Sequence, residues 1–148
     1  PEYHYIDADK ISTYKDEEKI IKIIAGEFLE TKGSIKKHNI DPVYFDIELE
    51  KNKEFKHELP LSHNSFIYLI EGEINIGTKS HKLIDESTLI ILTKGEYLNV
   101  CALKKSKFLL ISGKPIGEPI ARGGPFVMNT KEEIAEAIQD YHSGTFVK

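Results

Sequence analysis

His57 and His63 are the two histidines that fall among strand-like residues of this chain. Imidazole is the side chain best suited to hold a metal or move a proton near neutral pH. Two imidazoles on one strand bind a common ion when they stand at i and i+2, because alternate residues share a face. Neither His57 nor His63 has such a partner, and both read as satisfied strand or loop histidines. His4, His38, His81 and His142 are scattered through polar contexts and read as surface residues. Cys101 is the single cysteine, so an internal disulfide and a thiolate zinc cluster are excluded. As a nucleophile it would need a base held nearby, and none is proposed by the sequence; in Val100-Cys101-Ala102-Leu103 it is expected as an inert, buried thiol. The segment Gly113-Lys114-Pro115-Ile116-Gly117 lacks the spacing of a phosphate-binding loop and reads as a bend leading away from the preceding strands. No catalytic, cofactor-binding or metal-ligating residue is therefore expected.

Those residues need a scaffold, and 148 residues suffice for one domain with a real core. The balance is mildly acidic, with 24 Asp and Glu against 20 Lys and Arg and a formal net charge of −4. No basic stripe emerges, so direct nucleic-acid binding is not expected. Lys36-Lys37 and the trio Lys104, Lys105 and Lys107 read as solvated loop charges. The apolar runs are far too short to span a bilayer, and no basic segment followed by an apolar one opens the chain. A soluble, cytoplasmic protein without membrane contact is the expectation. The chain begins Pro1-Glu2 without Met, which is compatible with a processed start or with a piece of a longer protein.

From residue 20 to residue 111 the pattern is strand after strand. Val43, Phe45, Ile47 and Leu49 alternate with Tyr44, Asp46 and Glu48, the period of a half-buried strand. Phe55, His57, Leu59 and Leu61 continue the alternation, with Pro60 marking an edge or a bend. Residues 66–70 run through Gly72 into Ile74 and Ile76, either as a tight reversal or as a strand passing through the glycine. Residues 83–84, 88–92, 97–103 and 108–111 complete the series, an even spacing that reads as a β-sandwich or barrel. Residues 12–22 carry a weak signal for a helical turn, with poor apolar spacing. The strong helix signal lies near the other end. Thr130 and Glu133 form a capping box, Ile134, Ala137, Ile138 and Tyr141 form one apolar stripe, and Gly144 supplies the stop.

The segment from Tyr68 to Gly77 resembles the core strand pair of cupins. Gly117-Glu118-Pro119-Ile120, the stretch Gly124 to Thr130, Glu133-Ile134 and Asp140-Tyr141 are similar to the closing signature of the pirin family. Pro1-Glu2-Tyr3 and Ile24-Ala25-Gly26-Glu27 fit the start of the C-terminal half of that family. The resemblance implies an all-β fold, a cupin-type barrel or double-stranded β-helix of jelly-roll character, with one C-terminal α-helix. The barrel is expected over residues 1–112, with an arm and amphipathic helix of the same domain over 113–148. Pirins resemble two cupins in tandem, and the family's iron site belongs to the N-terminal one. Some members have quercetin 2,3-dioxygenase activity and some act as transcriptional co-regulators. In the cupin pattern two histidines, a carboxylate and a later histidine surround the metal. Carried onto this chain, those positions fall near Leu59, Leu61, Ser65 and Leu98, so no cofactor is expected here and iron would belong to the other half.

The resemblance thus implies an assembly module, with Phe126, Val127, Ile134, Ala137, Ile138 and Tyr141 as its packing surface. Those residues either close this barrel's own open end or cross to a partner, a second cupin half or another copy in a homodimer. The alternative is one half of an iron-dependent quercetin 2,3-dioxygenase-type enzyme. A third reading is an apolar small-molecule pocket lined by Leu59, Leu61 and Leu98.

Overall fold

Isoleucine, valine and phenylalanine at alternate positions stiffen the backbone into extended strands and give each strand one face to bury. The computed structural model describes residues 5–35, 39–77 and 84–147. Pro1-Glu2-Tyr3, His4, the Lys36-Lys37 pair, His38, His81 and Leu83 lie outside those residues. Among the described residues, twelve strands occupy the first compact unit, Pro1–Pro115. They are β1 (Ser12–Lys15), β2 (Lys19–Ala25), β3 (Glu27–Phe28), β4 (Thr31–Lys32), β5 (Val43–Leu49) and β6 (Glu54–Glu58). Then come β7 (Asn64–Glu71), β8 (Glu73–Ile76), β9 (Ile84–Asp85), β10 (Thr88–Ile91), β11 (Tyr97–Ala102) and β12 (Ser106–Gly113).

A six-stranded sheet has the order β1-β2-β5-β12-β7-β10, and a four-stranded sheet has the order β6-β11-β8-β9. Every pairing in both is antiparallel. The chain changes sheet at β5–β6, β6–β7, β7–β8, β9–β10, β10–β11 and β11–β12, the alternation of a jelly roll. The core is the slab between the sheets. Ile21, Ile23, Phe45, Ile47, Leu49, Ile67, Leu69, Phe108 and Leu110 come from the large sheet. Phe55, Ile74, Leu98, Val100 and Ala102 come from the small one.

One local expectation changes, and one open alternative is decided. Residues 12–22 form the β1–β2 hairpin rather than a helical turn. The β-branched run of β2 finds partners in β5, and the turn is closed by Asp16, whose Oδ1 accepts from the amides of Glu18 and Lys19 at 2.8 Å each. At Gly72 the strand passes through, leaving the large sheet as β7 and entering the small one as β8. Its φ is +95°, and a Cβ there would stand 2.5 Å from the Lys105 carbonyl oxygen and 2.7 Å from Ser106 Cα. Only glycine fits that corner.

The second compact unit, Ile116–Lys148, holds the hairpin of β13 (Ala121–Gly123) and β14 (Phe126–Met128) and the helix α1 (Lys131–Ser143). The Glu133 amide donates to Thr130 Oγ1 at 3.2 Å, while Glu133 Oε2 accepts from the Thr130 amide at 2.9 Å. Gly144 closes the helix in the left-handed conformation, φ +72°. No helix among the described residues is long and apolar enough to cross a membrane.

His57 points into the slab. Its ring meets Phe45 edge-on with centroids 5.0 Å apart, and Phe28 and Phe55 flank it at 6.0 and 6.1 Å. Burial pushes its pKa below the usual imidazole value of 6.5, partly opposed by Glu58. The unfolded chain therefore binds this proton more readily than the native one, and stability rises with pH through the interval below 6.5. The stabilisation is complete above the unfolded value and is lost as pH falls toward the lower native one. Asp16 acts at more acidic pH. Desolvation pushes its carboxyl up, but the amides of Glu18 and Lys19 with the Tyr14 hydroxyl and Lys19 outweigh this and bring it to about 2. We predict that the urea midpoint falls between about pH 7.5 and about pH 5.5, and that His57→Leu removes a large part of that fall. An unchanged pH dependence in His57→Leu contradicts the assignment.

Candidate functional site

The four positions where a cupin would place its metal ligands divide between core, network and surface. Leu59 and Leu98 are both in the core; the Leu59 amide donates to the Glu96 carbonyl at 2.8 Å, and Leu98 stands opposite His57. Leu61 is 54% exposed, so it lines neither a metal site nor an apolar interior. The strand expected to carry it ends at Glu58, and Leu61 falls in the turn after Pro60 that leads to β7. Ser65 points inward on β7, and its hydroxyl lies 2.8 Å from that of Ser112. Carbon stands where two ligands would be needed, and a third side chain faces solvent. These residues do not fit a mononuclear iron centre. Among the described residues, no three His, Cys, Asp or Glu side chains are grouped as metal ligands.

The buried polar chemistry lies beside those positions. His63, in the turn before β7, is 6% exposed, and its Nδ1 lies 3.1 Å from Ser112 Oγ. Ser65, Ser112 and His63 thus form a continuous chain of hydrogen bonds, with Ser112 supplied by the last turn of β12. Lys94 closes over it from the β10–β11 connection, donating to the His63 carbonyl at 2.6 Å and to Asn64 Oδ1 at 3.0 Å. A cleft of about 360 Å³ opens there, with Leu59, Phe66, Ile91 and Leu92 among its apolar walls. A wider cleft of about 920 Å³ reaches His63 from the side of Glu27, Lys32, Asp41 and Lys114. The sequence alone pointed to none of this, because His63 and Ser112 are 49 residues apart and meet only through the β7–β12 pairing.

Cys101 is half-buried rather than buried. Alternation along β11 turns Val100 and Ala102 inward and leaves Cys101 on the outer face of the small sheet. His142 is exposed in the last turn of α1.

The six side chains expected as a packing surface sort into two groups. Ile134 and Ala137 are buried, and Ile134 seats itself against Gly123, where any Cβ would collide with it. Phe126 is half-buried in a ring cluster with Tyr141 at 6.1 Å and Phe146 at 5.2 Å. Val127, Ile138 and Tyr141 retain exposed surface.

A second apolar surface lies on the outer face of the large sheet. Tyr44, Ile111, Phe66 and Ile91 are successive cross-strand partners over β5, β12, β7 and β10. Leu109, Tyr68 and Leu89 form the adjoining row on β12, β7 and β10. Leu89 is 57% and Ile91 79% exposed. Charge borders the second row, where Leu109 is paired with Asp46 on β5 and Lys107 lies 3.4 Å from Glu48 and 3.8 Å from Asp46.

The model of the pirin C-terminal cupin domain matches residues 44–147. Pirin of Rattus norvegicus is 32% identical over 146 residues, which cover 97% of this chain and 50% of that protein. A pirin-like protein of Solanum lycopersicum is 36% identical over 126 residues, 84% of this chain and 43% of that protein. Among solved structures, quercetin 2,3-dioxygenase from Acinetobacter baumannii superposes with a TM-score of 0.87 at 31% identity, covering 98% of this chain and 50% of that one. The chain thus spans about half the length of the relatives it matches. With an apolar two-sheet core, the Gly72 corner and a family match over most of its residues, the chain belongs to the pirin family through its C-terminal cupin domain.

Proposed function

We propose that this domain is a structural and interaction half, without a metal of its own, that packs on a partner cupin. The observation that supports this most is the pair of apolar rows across β5, β12, β7 and β10. A sheet face normally alternates polar-out with apolar-in. Here Tyr44, Phe66, Tyr68, Leu89, Ile91, Leu109 and Ile111 turn outward as one contiguous field, the mark of a protein contact. The relatives continue for about as many residues again beyond the matched half, enough for a second domain of the same size. The exposed Val127, Ile138 and Tyr141 add a smaller strip on the second unit. Expressed by itself, the domain uses the outer sheet face to pair with a second copy.

A second reading rests on the 31% identity to a quercetin 2,3-dioxygenase. In that reading the chain is half of an iron-dependent dioxygenase of that type, and the iron belongs to the other half. Both readings give this domain the same task, and they differ in whether the assembled protein turns over a flavonol.

Sedimentation velocity at about 50 μM is expected to show a dimer, and Leu89→Lys with Ile91→Lys to give a monomer with an unchanged melting midpoint. A monomeric parent, or a double variant that still pairs, contradicts the docking reading. Metal analysis of the isolated domain is expected to find no stoichiometric iron, and flavonol oxidation is expected to stay at background. Tightly bound iron at one per chain would overturn the metal-free assignment.

A further inference from the structure

We infer that the smaller cleft beside His63 is a binding site for a small organic anion, a carboxylate carrying a short apolar or aromatic body. This does not rest on the docking proposal and shares with it only Phe66 and Ile91. Protonation within the buried network supports it. Ser112 is 3% exposed, so its hydroxyl proton needs an acceptor inside the protein. With Ser65 donating to Ser112 at 2.8 Å, Ser112 donates onward to His63 Nδ1 at 3.1 Å. In this orientation of the two hydroxyls the imidazole carries its proton on Nε2, a nitrogen that has no hydrogen-bond partner among the described residues.

Lys94 supplies the second donor. Two oxygens hold its ammonium, the His63 carbonyl and Asn64 Oδ1, and neither carries charge. No Asp or Glu lines the cleft, so Lys94 contributes an uncompensated positive charge there. An ammonium beside a carboxylate-free cavity, with His63 in its lining, selects an anion over a cation or a neutral amide. Leu59, Phe66, Ile91 and Leu92 give the cleft an apolar side beside the polar Asn64, Ser65 and Thr93, which suits a hydrocarbon body. At about 360 Å³ the cleft holds a molecule of benzoate size with room to spare. The wider cleft on the other side of His63 is lined by Glu27 and Asp41 as well as Lys32 and Lys114, and lacks this selectivity.

The test is a titration of the whole chain, followed by amide and methyl NMR, with benzoate as probe and benzamide as its neutral counterpart. Benzoate is expected to saturate below about 10 mM, with the largest shifts at Ser65, Leu92, Thr93 and Lys94, and benzamide to bind about tenfold more weakly. Lys94→Gln is expected to weaken benzoate by about tenfold while leaving benzamide unchanged, and Lys94→Arg to restore most of the loss. Unperturbed methyl signals of Ile21, Ile47 and Leu110 establish that each variant is folded. Absence of saturation, equal affinity for the two probes, shifts centred on Glu27 and Lys32, or an affinity indifferent to Lys94→Gln would each overturn the proposal.

Discussion

The passage of one strand from the large sheet into the small one across Gly72 sets the geometry on which the inner face depends. The corner is closed from the opposite side by Ser106, which is buried and holds the start of β8. Its hydroxyl accepts from the Glu73 amide at 3.1 Å and donates to the Lys104 carbonyl at 2.8 Å. The corner also shifts the alternation by one residue, since the inward positions are odd-numbered on β7 and even-numbered on β8. Ile67 and Leu69 face inward before the corner and Ile74 faces inward after it, so both sheets present apolar side chains to the same slab. Burial of that slab from both sides is the main driving force of the fold.

A slab closed in this way leaves little room for metal chemistry. Leu59 and Leu98 fill the positions at which a cupin would hold its ion, and Phe28, Phe45 and Phe55 crowd the ring of His57. The polar groups that remain are displaced to one end, where Ser65, Ser112, His63 and Lys94 link β7, β12 and the β10–β11 connection. The outer face shows the reverse distribution. Toward β2 it carries paired charges such as Lys107 with Glu48; toward β10 it carries unpaired hydrocarbon and rings. An interior suited to packing and an exterior suited to contact support one role for the domain, that of a partner to another domain.

Much of the fold was legible because its signals are local. Val43, Phe45, Ile47 and Leu49 alternate in an unbroken run, and the Thr130–Glu133 capping box and Gly144 bracket α1 within 15 residues. Leu61 failed because alternation was carried through Pro60, where the chain leaves the strand and turns. The run of residues 66–70 reads as apolar throughout, and periodicity does not say which side faces the core. Only the register with β10 and β12 shows that Phe66 and Tyr68 join outward rows. The same holds for the candidate site: His63, Ser112 and Lys94 are far apart in sequence and meet through strand pairing. Of the six helix and hairpin residues expected as a packing surface, Ile134 and Ala137 are buried while Val127, Ile138 and Tyr141 are exposed, a division the sequence does not show. The apolar stripe of a helix does not reveal how much of it a neighbouring hairpin will cover.

The central claim is that the outer face of the large sheet is a contact surface. Hydroxyl-radical footprinting of the domain at low and high concentration tests it most directly, because it reads accessibility side chain by side chain. Labelling of Tyr68, Leu89 and Ile91 is expected to fall together as association proceeds, while Tyr97, on the outer face of the small sheet and 71% exposed, stays fully reactive. Constant labelling of the three while the domain associates, or protection centred on Tyr97, would contradict it.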